Sequence, residues 1–222
     1  MNKKSILTAG TLALAISTAS SGVYSAELEE IIVTAQKRAE SLQDVPISMS
    51  ALSGSTVKDN GIHSFQDLSG YVPNLSIQEN AVNSIITMRG IGIGSNQSFE
   101  QSVGIYVDGV HFGKSRQVRT GLFDIEQLEV LRGPQGILFG KNTLAGAINV
   151  TTASADVGDE TSGRLDVTQE SFNGQIIDAH LQGSVTDNLA VRFALRDRTR
   201  DGHLKNTMPG ASTDTMATTD EQ

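Results

Sequence analysis

The chain has 222 residues, enough for one or two small domains, and its formal charge is −8 at pH 7. Its 17 Lys and Arg residues form no basic stripe, which argues against a nucleic-acid partner, and the absence of cysteine excludes disulfides and thiolate metal sites. The 22 glycines and the lack of Trp favour a chain rich in strands and loops over a helical one.

The N-terminus has the composition of a secretory signal peptide. Two lysines precede an apolar stretch, residues 6–16, which is too short to span a bilayer, and small residues follow it. Cleavage after Ser25 and cleavage after Ala26 both fit, and the sequence leaves the choice open. We expect residues 1–26 to be removed on export, with an uncleaved N-terminal anchor as the weaker alternative.

A short β-branched segment lies close to the start of the mature chain. Residues 31–34, Ile-Ile-Val-Thr, are flanked by charges and have no obvious strand partner nearby. An unpaired extended segment near a terminus is suited to β-augmentation, in which its backbone groups complete the sheet of another protein. A frayed tail of the same composition is an equal alternative.

The signals that follow mix strands with short helices. Residues 45–52 alternate well enough for a strand, and residues 55–60, followed by a glycine, predict a short helix with a glycine C-cap. Residues 64–67 have the pattern of a capping box at the start of another helix. Residues 84–89 predict a strand, and Asp-Gly at 108–109 between two apolar runs predicts a hairpin.

A glycine-rich stretch dominates the middle of the chain. An apolar run ends at Leu131, residues 133–140 are rich in glycine, and residues 148–151 favour a strand again. The pattern predicts a strand, a tight irregular loop and a second strand, with Gly146 allowing close approach to the backbone. The stretch lacks the phosphate-loop residues, since a Gln stands at 135 and an Asn follows the Gly-Lys pair.

The pattern changes after a polar linker, residues 153–162. Residues 177–185 and 189–196 alternate strictly between apolar and polar side chains, and residues 163–171 predict a weaker first strand. Such strands are typical of a membrane barrel wall, although a soluble antiparallel sheet would alternate in the same way. The exported context favours the barrel, and residues 197–222 are interpreted as a polar tail resembling the beginning of an external loop.

Several of these motifs together resemble the TonB-dependent outer-membrane receptors. The stretches Leu131–Gly136, Phe139–Thr143 and Gly146–Val150 resemble the plug signature of that family, and Glu30–Ala35 resembles its TonB box. The residues assigned to the plug signature are Glu126, Glu129, Arg132, Gly133, Pro134, Gly136, Gly140, Asn142 and Gly146.

The resemblance implies an α+β plug domain, with a mixed sheet and short helices, followed by the start of an antiparallel transmembrane β-barrel. It places the TonB box and an N-terminal extension at 27–40, the plug at 41–152 and the first barrel strands at 163–222. A barrel of about 22 strands needs on the order of 200 residues for its wall. Because 222 − 162 leaves 60 residues after Ser162, we expect a truncated receptor.

The resemblance also implies a function, which is energised uptake of a scarce ligand across the outer membrane. The residues expected to bind TonB are Glu30, Ile31, Ile32, Val33 and Thr34. The residues expected to face the ligand, in two loops of the plug, are Asn96, Gln97, Phe99, His111, Lys114 and Arg116. The commonest ligand class in the family is an iron-siderophore, with vitamin B12 and sugars left open.

Other readings of the sequence differ in function. A soluble periplasmic module that binds TonB without transporting is the main alternative, because three strands leave open edges that lipid does not tolerate. An enzyme is not expected, since the four histidines are scattered and no nucleophile elbow occurs. No metal site or cofactor is expected. Arg132, which follows Glu126 and Glu129, is a candidate for ion pairs that hold the plug in place.

Overall fold

Strands dominate the structure, a computed structural model. It describes residues 31–34, 37–80, 83–93 and 100–202, together with the backbone of three short strands between residues 204 and 221. The predicted signal peptide, Glu30, Asn96, Gln97 and Phe99 lie outside the described residues.

The elements of the described residues are short except near the C-terminus. The strands are β1 (Ile32–Val33), β2 (Glu40–Ser41), β3 (Met49–Ser53), β4 (Leu75–Glu79), β5 (Ser84–Met88), β6 (Ile91–Gly92), β7 (Val103–Val107), β8 (Val110–His111), β9 (Ile125–Arg132), β10 (Gly146–Thr152), β11 (Ser162–Glu170), β12 (Gly174–Thr186), β13 (Leu189–Arg200), β14 (Leu204–Lys205), β15 (Thr215–Met216) and β16 (Thr219–Glu221). The helices are α1 (Gly54–Asp59), α2 (Gly136–Phe139) and the 3-10 helices Asp67–Gly70 and Ser115–Arg119. No helix in the described ranges is both long and apolar enough to cross a membrane.

Five strands form a mixed sheet, in the spatial order β3-β9-β10-β7-β8. β10 and β7 run parallel, whereas the other neighbouring pairs run antiparallel. A separate antiparallel sheet, β4-β5-β6, lies between β3 and β7 in the sequence. The predicted α+β architecture, with a mixed sheet and short helices, is confirmed. We call this part of the chain, from β3 to β10, the mixed-sheet domain.

Local chemistry explains several of these elements. Asp108 and Gly109 both have positive φ, 48° and 79°, as the two central residues of a tight hairpin require. Ser53 caps α1 by accepting a hydrogen bond from the backbone nitrogen of Thr56 at 3.2 Å, and Gly61, with φ of 62°, follows the helix. The predicted hairpin and the predicted short helix are therefore present.

Two further predicted elements, the helix from residue 64 and the strand over 45–52, differ from the structure in type or length. The Asp67 carboxylate accepts hydrogen bonds from the backbone nitrogen and the hydroxyl of Ser64 at 2.8 and 2.9 Å, but the element that follows is one turn of 3-10 helix. The strand predicted over 45–52 begins only at Met49, where pairing with β9 starts. The predicted irregular loop after β9 contains the short helix α2.

The mixed sheet separates two apolar clusters, because successive side chains of a strand point to opposite faces. On β9, Leu128 and Val130 belong to the larger cluster, with Phe65, Leu68 and Ile86. The smaller cluster covers the other face and consists of Met49, Tyr106, Leu131, Phe139 and Ala147. The face of β9 that carries Leu131 therefore also carries residues 127 and 129.

Three long antiparallel strands, β11, β12 and β13, form a second sheet, which we call the long-strand sheet. Most of its large apolar side chains are exposed, namely Leu165, Val167, Leu181, Val185, Leu189, Phe193 and Leu195, whereas Ile176 is buried. The polar side chains of Asp166, Arg192 and Arg196 contact the mixed-sheet domain instead. This arrangement is opposite to that of a sheet that buries its apolar face in a core.

The predicted polar tail from residue 197 is wrong in part. β13 continues through Asp197 to Arg200, and β16 pairs with its end in antiparallel register, with Arg198 opposite Glu221. Apolar and polar side chains do not alternate in residues 197–200, so the sequence pattern does not predict that the strand extends. Backbone pairing with β12, which reaches Thr199, explains the extension.

Candidate functional site

The N-terminal segment, residues 31–34, is docked on the mixed-sheet domain. Val33 is 1% exposed, whereas Ile31 and Ile32 are 38% and 45% exposed. β1 pairs antiparallel with β2, with Val33 opposite Glu40, and the backbone nitrogen of Leu42 donates to the carbonyl of Ile31 at 2.9 Å. The expectation that this segment lacks a strand partner is therefore wrong, because its mate follows after a short turn.

Two side chains of β9 contact the other edge of the segment. The side-chain amide of Gln127 donates to the carbonyl of Ile32 at 2.7 Å. The backbone nitrogen of Thr34 donates to the carboxylate of Glu129 at 2.6 Å. Glu129 is 1% exposed, and its second carboxylate oxygen accepts from the side-chain amide of Asn149 at 2.9 Å. Its carboxylate has no ion-pair partner among the described residues.

The residues predicted to face a ligand are only partly described. His111 packs against the ring of Tyr106, with ring centroids 5.1 Å apart. Lys114 precedes the 3-10 helix Ser115–Arg119, and its backbone nitrogen donates to the side chain of Gln117 at 2.9 Å. Arg116 lies inside that helix. Because Asn96, Gln97 and Phe99 are outside the described residues, the grouping of the six as one binding surface stays a prediction.

The glycine-rich stretch has the specified backbone shape that its composition predicts. Gly133 and Gly140 have φ of 105° and 79°, and Asn142 has φ of 65°. A Cβ on Gly146 would overlap the sulfur of Met88 and the carbonyl of Leu131, so close backbone approach at this position is confirmed. These residues shape a loop and its packing.

The remaining signature residues differ in their surroundings. Glu126 is exposed, as are Pro134 and Gly136. The guanidinium of Arg132 donates to the hydroxyls of Ser48 and Ser50, at 3.1 and 2.8 Å, and to the carbonyl of Met49 at 3.0 Å. These acceptors are neutral, and the predicted ion pair of Arg132 with an acidic residue is not found among the described residues. Arg132 ties β9 to β3.

An electrostatic contact joins the long-strand sheet to the mixed-sheet domain. Both carboxylate oxygens of Asp124 accept from Arg192, at 2.6 and 2.8 Å. Arg196 donates to Asp178 of β12 at 2.6 and 3.0 Å and to the backbone carbonyl of Leu122 at 2.8 Å. A further pair joins Lys58 of α1 to Asp166 of β11. We call the residues of this contact the anchoring seam: Lys58, Leu122, Asp124, Asp166, Asp178, Arg192 and Arg196.

His63 lies beside the seam, in the mixed-sheet domain. Its imidazole is 3.9 Å from the carboxylate of Glu170, and its backbone carbonyl accepts from the nitrogen of Leu122 at 2.8 Å. Burial lowers the pKa of His63, and the charges of Arg196 and Arg198 lower it further, against the opposing effects of Glu170 and Asp67. The neutral form is therefore favoured in the folded protein.

No pattern in the sequence identifies the residues of the anchoring seam. Arg192 and Arg196 lie on the predicted polar face of the last alternating run, which signals that they avoid lipid but not what they contact. Asp124 is 68 residues from Arg192 along the chain, and no local pattern connects them.

Comparisons with known proteins give one consistent result. A family model, the TonB-dependent Receptor Plug Domain, matches residues 41–147. The pesticin receptor of Yersinia pestis is 32% identical over 167 residues, which cover 70% of this chain and 24% of that protein. A vitamin B12 transporter of Vibrio vulnificus is 27% identical over 58% of this chain and 21% of its own length. The chain thus spans about a quarter of the length of these relatives.

Solved structures have the same fold. The ferric yersiniabactin uptake receptor of Yersinia pestis superimposes with a TM-score of 0.69 at 30% identity, covering 78% of this chain and 27% of that chain. The ferripyoverdine receptor of Pseudomonas aeruginosa superimposes with a TM-score of 0.64 at 16% identity, covering 79% of this chain and 23% of that chain, a likeness of fold alone.

Proposed function

This chain contains a TonB-dependent receptor plug domain and belongs to the TonB-dependent outer-membrane receptors, and from this we propose that it serves energised uptake of an iron-siderophore across the outer membrane. The plug domain, which corresponds to the mixed-sheet domain, would block the lumen of a barrel to which the long-strand sheet belongs. Binding of a ligand outside the cell would be coupled, through the N-terminal segment, to TonB in the periplasm.

The observation that carries this proposal is the polarity of the long-strand sheet. Phe193 and Leu195 are 71% and 62% exposed, whereas Arg192 and Arg196 on the same strand contact the plug domain. Lipid favours apolar side chains on the outside of a barrel wall, and the lumen accepts polar ones. The long-strand sheet has this distribution, with the plug domain on its polar side.

The proposed partner is TonB, and the proposed contact consists of Glu30 and the N-terminal segment, residues 31–34. Strand addition requires an extended backbone with groups that can pair, and residues 32–33 are already extended. Ile31 and Ile32 are partly exposed, so an incoming partner can reach the segment without unfolding the plug domain.

The proposed ligand class follows from the relatives. Two of them are a ferric yersiniabactin uptake receptor and a ferripyoverdine receptor, and both are receptors for iron complexes. The vitamin B12 transporters among the relatives make a corrinoid the second candidate. Uptake of a radiolabelled ferric-siderophore, measured with and without an excess of unlabelled corrinoid, and the reverse experiment distinguish the two classes.

A soluble periplasmic plug module that binds TonB without transporting is the alternative. Cell fractionation decides between them. Heat-modifiable migration in the outer-membrane fraction supports the receptor, whereas a soluble periplasmic band supports the module.

Contact with TonB is tested by a proline in the segment. Val33→Pro fixes φ at residue 33 and restricts the backbone of residue 32, between the two residues whose groups face away from β2, so we expect crosslinking to TonB in cells to be lost. Ser154→Pro, at an exposed position of the linker, is the matched control and should crosslink as the parent does. Undiminished crosslinking of Val33→Pro contradicts the assignment.

A further inference from the structure

We propose that Gln127 and Glu129 act as an intramolecular substitute for a partner strand, holding the N-terminal segment by the backbone groups that strand addition needs. The inference rests on the proposed function, because it concerns the same contact between the segment and TonB. It assigns a positioning role to two side chains of β9.

The register of β1 determines which backbone groups point towards β2. In an antiparallel pair, alternate residues exchange hydrogen bonds with the neighbouring strand, and the residues between them point their groups to the opposite edge. The backbone nitrogen of Leu42 donates to Ile31, and Val33 lies opposite Glu40. Ile32 therefore presents its carbonyl, and Thr34 its N–H, to the edge away from β2.

Gln127 and Glu129 contact these outward groups. The amide of Gln127 donates to the carbonyl of Ile32 at 2.7 Å, and the carboxylate of Glu129 accepts from the nitrogen of Thr34 at 2.6 Å. Residues two apart on a strand share a face and are about 6.8 Å apart. This spacing on β9 equals the spacing between residues 32 and 34, so a donor and an acceptor meet their complements in register.

The burial of Glu129 reduces the net free energy that its hydrogen bond contributes to docking. A buried carboxylate is costly unless hydrogen bonds compensate for lost water, and its partners here are neutral donors from Thr34 and Asn149. Release of the segment would return one side of the carboxylate to water. The segment is thus held by hydrogen bonds that include one to the Glu129 carboxylate, a group that is more favourably solvated in water.

The consequence is competition for one edge. A partner strand that pairs with the outward groups of Ile32 and Thr34 must first replace the two side chains. Weakening the side-chain contacts raises the population in which the edge is free, and the apparent affinity for the partner rises by the same factor.

The chain contains no cysteine, which permits a direct test of docking. Val33→Cys places a single thiol at the buried position of the segment, and its reaction rate with a maleimide reports release. On this background, Gln127→Leu and Glu129→Leu remove the contacts at similar volume. We expect labelling about fivefold faster in Gln127→Leu, which loses a hydrogen bond between neutral groups, and at least about tenfold faster in Glu129→Leu, which loses one to a charged group. Glu129→Gln, which retains an acceptor oxygen, should label close to the parent rate.

Matched controls lie on β4. Gln78→Leu and Glu79→Leu change the same residue types at exposed positions away from the segment, and both should label at the parent rate. Circular dichroism verifies folding of each variant. Gln127→Leu is informative even if Glu129→Leu disturbs the plug domain, because the side-chain hydrogen bond described for Gln127 is made to the segment.

Affinity for the purified periplasmic domain of TonB provides the second measurement. Faster labelling together with tighter binding in the two Leu variants supports the inference. Unchanged labelling in both overturns it, and so does faster labelling with weaker binding, because the side chains would then assist the partner. If TonB binds no variant, including the parent, the proposed function fails, and the labelling rates still decide whether Gln127 and Glu129 hold the segment.

Discussion

The N-terminal segment and the long-strand sheet are both attached to the plug domain, but by different chemistry. The segment is held by one buried side chain, Val33, and by hydrogen bonds to β2, Gln127 and Glu129. The sheet is held by the bidentate pair of Arg192 with Asp124, by the hydrogen bond of Arg196 to the carbonyl of Leu122 and by the pair of Lys58 with Asp166. Arg192 and Arg196 have side chains only 13% and 17% exposed.

The difference predicts an order of release. Detachment of the sheet breaks the bidentate pair of Arg192 with Asp124 together with the pair of Lys58 with Asp166, and bidentate charge-assisted bonds are strong. Detachment of the segment from β9 breaks the single hydrogen bonds to Gln127 and Glu129 and uncovers one buried apolar side chain, Val33. We therefore expect the segment to detach at a lower free-energy cost than the long-strand sheet, so that a partner can engage the segment while the seam persists.

The largest expected effect comes from removing one arginine of the seam. Arg192→Met retains the apolar stem but leaves Asp124 without its bidentate partner, which should lower the free energy of unfolding by about 2–3 kcal/mol. Chemical denaturation of the protein in detergent micelles, followed by circular dichroism, measures it.

The matched control for that variant is on the same sheet. Arg164 pairs with Asp166 on its own strand, and its side chain is 61% exposed, so Arg164→Met should cost less than about 0.5 kcal/mol. Equal losses for the two variants would remove the distinction between the seam and an ordinary surface pair.

A smaller effect is expected from pH, through His63. Its pKa is lower in the folded protein than the usual value of about 6.5, so the unfolded chain binds more protons as the pH falls. Above about pH 6.5 His63 is neutral in both states, and the free energy of unfolding is not reduced by its titration. As the pH falls through the folded pKa, this part of the free energy of unfolding is lost. One such group changes the free energy of unfolding by at most about 1.4 kcal/mol per pH unit.

Denaturation between pH 7.5 and 5.5 measures this dependence, and His63→Gln supplies the reference. The glutamine variant should lose less stability than the parent over the interval, because the titrating group is gone. A steeper loss in the variant would mean that protonated His63 stabilises the contact with Glu170 more than it opposes Arg196 and Arg198.

The sequence predicts those parts of the molecule that local chemistry determines. The hairpin at 108–109, the capped helix α1 and the alternating strands all depend on residues within a few positions of one another. The close approach at Gly146 is predictable for the same reason, although Met88 as the neighbour is not. The order of the motifs is sufficient to identify the family.

The parts that the sequence does not predict depend on distant residues. Thr34 and Glu129 are 95 positions apart, and only the position of β9 in the sheet brings them together. The charge of Arg132 predicts an acidic partner, yet its acceptors on and beside β3 are neutral. A charge in the sequence indicates which kind of partner a side chain favours. The strand topology determines which partners lie within reach of it.

The smallest expected effect concerns the cation–π contact between Lys37 and Phe139. The ammonium of Lys37 lies 4.9 Å from the centre of the Phe139 ring, a contact worth about 0.5–1 kcal/mol at an exposed site. Lys37→Met should speed maleimide labelling of a cysteine at position 33 about two- to fivefold, less than Glu129→Leu does. Arg38→Met is the matched control, because its ion pair with Glu40 is on an arginine side chain 68% exposed. If the two variants label alike, the aromatic contact adds nothing to docking. Docking then depends on Val33 and on the hydrogen bonds to β9 and β2.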